Sequence, residues 1–160
     1  MNSPARDPQR SRARSAARLA AVQALYQQHM EGTALAKLLD EFHQHRLGRT
    51  IDDDAFDDAE YADAEVPFFD DVVRGVDARR DEIDTVLSGK LAAGWSLTRL
   101  DKAMLQVLRA GTYELLARQD VPTAVAISEY VDVAKAFFDD GQAKFVNGVL
   151  DAVAKDARAG

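Results

Sequence analysis

The sequence predicts an all-α protein, a single-domain helical bundle of about seven helices arranged as two packed sub-bundles. Three observations carry this. Apolar residues recur at three- and four-residue spacing through most of the chain. No stretch sustains the two-residue alternation of a half-buried strand. Glycine, proline and capping residues interrupt the periodic segments at short intervals, as helix stops and starts do. At 160 residues and 47% hydrophobic composition the chain can bury a sizeable core.

The elements follow in order. Residues 1–13, polar and containing Pro4 and Pro8, read as a flexible basic arm, and 14–158 as the helical domain, with sub-bundles at about 14–92 and 95–158. A first helix is expected from Ala13 to Met30, burying Leu19, Val22, Tyr26 and Met30. Arg14 and Arg18, four residues apart, stack on a face roughly a right angle away, and Arg10 joins them if the helix starts earlier. Gly32 stops this helix and Thr33 caps a second, Ala34 to Leu47, with Leu35, Leu38, Leu39 and Phe42 inward. The stretch 51–65 carries Asp52, Asp53, Asp54, Asp57, Asp58, Glu60, Asp63 and Glu65 with weak periodicity and reads as an acidic, solvated loop.

Pro67 suits the first turn of a third helix with Phe69, Val72, Val73 and Val76 inward. A fourth runs from Asp81 to Leu91, and Gly94 breaks the chain. A fifth is expected from Thr98 to Arg118 on Leu105, Leu108, Thr112 and Leu115. Pro122 stops it and Thr123 caps the sixth, which repeats Ile127, Tyr130, Val131, Ala134 and Phe138. Asp139, Asp140 and Gly141 make a turn. The last helix, Ala143 to Ala157, packs through Val146, Val149, Leu150 and Val153.

Composition narrows function. There is no cysteine, hence no disulfide and no thiolate nucleophile or metal ligand. No apolar run reaches the roughly 20 residues of a membrane span, and no apolar segment follows the N-terminal arginines as in a secretory signal. A cytoplasmic protein without membrane contact is expected. The net charge of -7 argues against indiscriminate nucleic-acid binding, yet it conceals a basic start and an acidic middle. His43 and His45, two apart on a helix, point to nearly opposite sides and do not form a chelating pair. The aspartate run lacks the pattern of a calcium loop. With no phosphate loop or nucleophile grouping, a non-enzyme without cofactor or metal is the reading.

Two regions instead suit RNA. Arg10, Arg12, Arg14 and Arg18 could pair with phosphates through their guanidinium forks, although short basic runs are more often solvated surface. Lys144, Phe145 and Asn147 offer a cation for phosphate, a ring for stacking and an amide for a base edge. Phe145 lies beside the apolar stripe of its helix, so periodicity alone leaves it either a core-edge aromatic or a partly exposed stacking ring. Tyr26 reads as a core ring with its hydroxyl at a wet rim. Asp101 reads as first-turn dipole stabilisation.

Three stretches together resemble one family. They are Ala17-Arg18 through Val22-Gln23-Ala24-Leu25-Tyr26; Trp95-Ser96-Leu97 with Leu100-Asp101-Lys102-Ala103, Leu108-Arg109 and Tyr113-Glu114-Leu115; and Val121-Pro122, Ala126-Ile127-Ser128-Glu129, Ala134-Lys135 and Lys144-Phe145-Val146-Asn147-Gly148-Val149-Leu150-Asp151. The order and spacing look like the NusB family of bacterial transcription antitermination factors, from about Arg14 to Ala154. The resemblance implies a helical binding protein that pairs with the ribosomal protein NusE. It also implies that the pair binds single-stranded boxA RNA of nascent ribosomal transcripts and acts with other Nus factors on RNA polymerase, promoting read-through. It places the basic N-terminal segment and Lys144-Phe145 at the RNA, and Asp101 at the partner surface. Tyr26, in the first of these stretches, is taken with Asp101 as a partner-facing candidate.

The sequence also departs from the family's pattern. Where members often carry a denser arginine cluster it has Ser15, Ala16 and Ala17, with Arg6, Arg10 and Arg12 upstream, and the acidic loop has no counterpart. Two other readings remain at this point. One is a NusB-like domain of an RNA methyltransferase, which would need a cofactor-binding α/β domain downstream. The other is a structural helical homodimer that binds no RNA.

Overall fold

The computed structural model describes residues 8–45 and 65–158. Among these, seven α-helices and one short 3-10 turn are present and no strand. They are α1 (Pro8–Glu31), α2 (Leu35–His45), α3 (Val66–Ala78), α4 (Arg80–Ser88), the 3-10 turn (Leu97–Arg99), α5 (Lys102–Ala117), α6 (Thr123–Phe137) and α7 (Asp140–Ala157). The acidic run from Asp52 to Asp63 lies outside the described residues, and only Glu65 at its end belongs to them.

Helix α5 is the axis of the bundle. Every residue from Met104 to Leu115 is buried, which is the pattern of a helix covered on all sides. It touches α1, α3, α4, α6 and α7. Two close approaches make this density possible. A Cβ on Gly75 of α3 would lie 2.2 Å from the ring of Tyr113, and one on Gly111 would lie 2.8 Å from Leu150 Cδ1 of α7. One apolar cluster, including Leu25, Phe42, Phe69, Leu87, Leu108, Tyr130 and Leu150, runs through the helices of both halves of the sequence. Polar clamps hold α5 at its middle and at its C-terminal end. Arg109 reaches Asp84 of α4 with two bonds of 2.9 and 2.8 Å. Arg158 donates to the carbonyls of Glu114, Leu115, Arg118 and Val121, closing the C-terminal end of α5, where orphan carbonyls and the helix dipole favour a cation.

Several boundaries differ from the sequence reading, each for a local reason. Helix α1 starts at Pro8, so Arg10 and Arg12 are helical and not part of an arm. Proline fits a first helical turn because its missing N–H has no intrahelical partner there. The face of α1 also turns. The buried residues are Ala17, Arg18, Ala20, Ala21, Val22, Ala24 and Leu25, while Tyr26 and Met30 are exposed. The fifth helix begins only at Lys102, after the 3-10 turn, with Asp101 as its cap. Thr123 is the first residue of α6 and not its cap, and its hydroxyl accepts from Arg158 at 3.1 Å. The Asp-Asp-Gly sequence does not interrupt the chain before Ala143. Asp139 caps α7 through a 3.0 Å bond from Gln142 N–H, and Asp140 and Gly141 already belong to the helix.

Candidate functional site

The two cationic regions of the sequence have different surroundings. On α1, Arg18 is 2% exposed. Its Nε and Nη2 donate to the two carboxylate oxygens of Glu114 at 2.8 and 3.1 Å, and its Nη1 to Glu129 at 3.1 Å. Glu114 also accepts from the Tyr130 hydroxyl at 2.5 Å, and Glu129 from Ser15 at 2.6 Å. A buried charge is tolerable only when paired and bonded in this way. Burial, with the neighbouring Glu114 charge, pushes the Tyr130 hydroxyl well above its usual range. The role at RNA expected of Arg18 does not fit this position: its guanidinium is enclosed in the core, because this face of α1 packs against α5 and α6, which bring Glu114 and Glu129 to it.

Arg14 is half-way between core and solvent. Its Nε donates to Glu65 at 3.0 Å, and Asp120 lies 3.9 Å from its Nη1. Arg14, Arg18 and Arg118 place their guanidinium carbons 4.6, 4.8 and 4.7 Å from the centre of the buried Phe68 ring. Arg118 in turn holds Asp71 and Asp120, and its two-pronged bond lowers the Asp120 carboxyl to about 2. Asp71 also accepts from Tyr113, whose hydroxyl is pushed up to about 12 by burial and by that bond. Further out, Arg10 is largely exposed, with Glu65 3.9 Å away, and Arg12 is exposed.

The second region is open. Phe145 is 39% exposed, so its ring is not enclosed in the core. Lys144 and Asn147 are exposed beside it, while Val146, Val149, Leu150 and Val153 hold α7 to the core. Phe145, Trp95, Arg99, Leu100, Asp101, Met104, Gly141 and Gln142 line one groove. Trp95 is 57% exposed, with the Arg99 guanidinium 5.6 Å from its ring centre. Gly94, at φ 90°, turns the backbone that carries it, and Arg99 braces that turn by donating to the Gly94 carbonyl at 2.6 Å.

A second groove is lined by Val22, Tyr26, Met30, Asp101, Lys102, Phe137 and Phe138, among others. Tyr26, Met30 and Phe137 are each 40% exposed or more. The expectation of a buried Tyr26 ring fails because the buried face of α1 is centred on Ala17, Ala21 and Leu25, and Tyr26 lies to one side of it. Asp101 borders both grooves. Its Oδ1 accepts from the N–H groups of Ala103 at 2.8 Å and Met104 at 3.2 Å, so it caps α5 where the grooves meet.

Sequence reasoning missed Phe137, Trp95 and Arg99 as surface residues. Phe137 had a signal: two consecutive phenylalanines cannot share one helix stripe, and the reading gave the inward place to Phe138. For Arg99 nothing distinguished it from an ordinary solvated arginine.

A helical bundle with two open aromatic grooves joined at a capped helix start is built for docking. Within that class the chain belongs to the NusB family, whose model matches residues 15–155. The transcription antitermination protein NusB of Novosphingobium aromaticivorans is 68% identical over 147 residues, covering 92% of this chain and 96% of that protein. Among solved structures, NusB from T. maritima aligns over 98% of this chain and 94% of its own with a TM-score of 0.69 and 32% identity. A crystal structure of the antitermination factors NusB and NusE in complex with dsRNA aligns over 91% and 98%, with a TM-score of 0.70 and 25% identity.

Proposed function

We propose that this protein is a transcription antitermination factor that binds boxA-type RNA of nascent ribosomal transcripts together with NusE and promotes read-through by RNA polymerase with other Nus factors. The observation that carries the reading is the exposed Phe145 with exposed Lys144 and Asn147 beside it, neither of them paired among the described residues, on a chain of this family. Phe145 and Trp95 give flat faces for unstacked bases, and Lys144 and Arg99 stand beside these rings where phosphates can approach; Arg10 and Arg12, at the start of α1, are further phosphate candidates at the other end of α5. Phosphate contacts position the strand, and ring and amide contacts add base selectivity.

The groove of Tyr26, Met30 and Phe137 takes the protein partner. It combines exposed apolar side chains with Asp101 at its edge, the mixture of apolar centre and polar rim that protein interfaces use. Because Asp101 borders both grooves, a partner seated there lies next to the RNA. The partner then supplies cations that this acidic chain lacks. The family relationship, together with the two grooves, favours this reading over a structural homodimer.

RNA affinity measured with and without NusE tests it. The expected result is weak, strongly salt-dependent binding of a boxA RNA by the chain alone and much tighter binding with NusE present. Equal affinities in the two conditions would remove the cooperation from the account.

A further inference from the structure

Gly148 occupies the middle of α7 (Asp140–Ala157), where glycine is the least favourable residue after proline. It follows Asn147, and Asn-Gly is a strong turn signal, yet the helix continues through it. Packing explains two glycines at helix centres: Gly75 and Gly111 admit Tyr113 and Leu150. At Gly148 nothing lies within 4 Å of where a Cβ would be, and its φ is not in the left-handed region. Neither the backbone nor the core therefore requires a glycine here. A position that breaks a local rule without compensation inside the fold points to a requirement outside it.

The neighbours say what approaches. On the exposed face of α7, Gly148 is one turn beyond both Lys144 and Phe145. Lys144 has no ion pair among the described residues, whereas Asp151, on the far side of Gly148, is engaged by Lys155 at 3.4 Å. Lys144 and Asp151 thus flank Gly148 about one turn away on either side, and of the two Lys144 is the one without an ion pair among the described residues, next to an exposed ring and an amide.

We propose that Gly148 is a positioning residue for RNA: its missing side chain leaves a shallow seat on α7 in which the sugar-phosphate backbone lies against the helix while a base rests on Phe145. This rests on the RNA-binding reading above. A methyl group at the seat lifts the strand away from Lys144 and Phe145, in the way that added atoms disrupt any close contact.

The test is Gly148→Ala in the full chain, with a single-stranded boxA RNA oligonucleotide as probe and NusE present. The melting temperature should rise by roughly 1–4 °C, because alanine is the better helix former and the site is open. RNA affinity should fall by about five-fold or more. Stability and binding thus move in opposite directions, which a structural role for the glycine would not produce. If the unchanged chain binds the RNA and Gly148→Ala binds it equally well, this inference alone is overturned. If the unchanged chain with NusE does not bind the RNA, the RNA-binding reading falls and the inference with it. A drop in melting temperature would show that the fold needs the glycine. Weakened binding of NusE measured without RNA, at unchanged RNA affinity, would give the seat to the protein partner; either result overturns the proposal.

Discussion

Arg18 on α1 and Lys144 on α7 are both cations placed at the RNA by the same sequence resemblance, and they have opposite environments. Arg18 meets Glu114 and Glu129 inside the bundle. Lys144 is exposed and engages no carboxylate among the described residues. Around Arg18 the charges cancel within the molecule: Arg14 with Glu65 and Asp120, and Arg118 with Asp71 and Asp120. A basic run in the sequence therefore measures how many cations are present, not how many are available. Availability depends on where the carboxylates of other helices come to rest.

The largest effect that would test this contrast is on stability. Arg18→Ala leaves Glu114 buried without its cation and should cost about 3–5 kcal/mol, read as a lower urea midpoint. A loss below about 1 kcal/mol would mean that Arg18 is not the core element described. The same interior should respond to alkali. Tyr113 and Tyr130 have hydroxyls raised above the ordinary tyrosine value near 10, the first to about 12. The folded state then holds protons that the unfolded state has lost, so stability present below pH 10 declines as pH rises toward 12. Melting temperatures across that range, compared with Tyr113→Phe, should show a weaker decline in the variant.

Smaller effects should appear at the open region and at its boundary with the closed one. Lys144→Ala should leave melting unchanged and reduce the slope of log affinity against log salt by about 0.7–0.9, one phosphate contact. An unchanged slope would take Lys144 off the phosphates. Glu65→Gln releases Arg14 from its carboxylate and should strengthen RNA binding by about 0.2–1 kcal/mol, the scale of a partly exposed ion pair. Weakened or unaltered binding would show that Arg14 plays no part at the RNA.

The helices were legible because their periodicity is strong, and the inward residues of α3 and α7 were read correctly from spacing alone. What could not be read was which way α1 faces. Its alanines at 17, 20, 21 and 24 pack closely against neighbours although they contribute little to an apolar stripe, whereas Tyr26 and Met30 contribute much and lie outside the core. Close helix contact favours small side chains, and a hydrophobicity pattern gives them little weight. The buried polar network was also hidden, because Arg18, Glu114 and Glu129 are separated widely in sequence and nothing local marks them as partners. Of the motifs that carry the family resemblance, Tyr113-Glu114-Leu115 and Ser128-Glu129 are explained by this network and not by a ligand. Lys144, Phe145 and Asn147 lie on the open face.

The central claim is that the open face of α7 makes the RNA contacts. Phe145→Ala tests it most directly, measured by RNA affinity with NusE present and by thermal melting of the same protein. The expected result is a loss of about 1–3 kcal/mol in RNA binding, the value of one base stacked on an aromatic ring, with the melting transition nearly unchanged. Unaltered RNA affinity accompanied by a large loss of stability would contradict it and return Phe145 to the core.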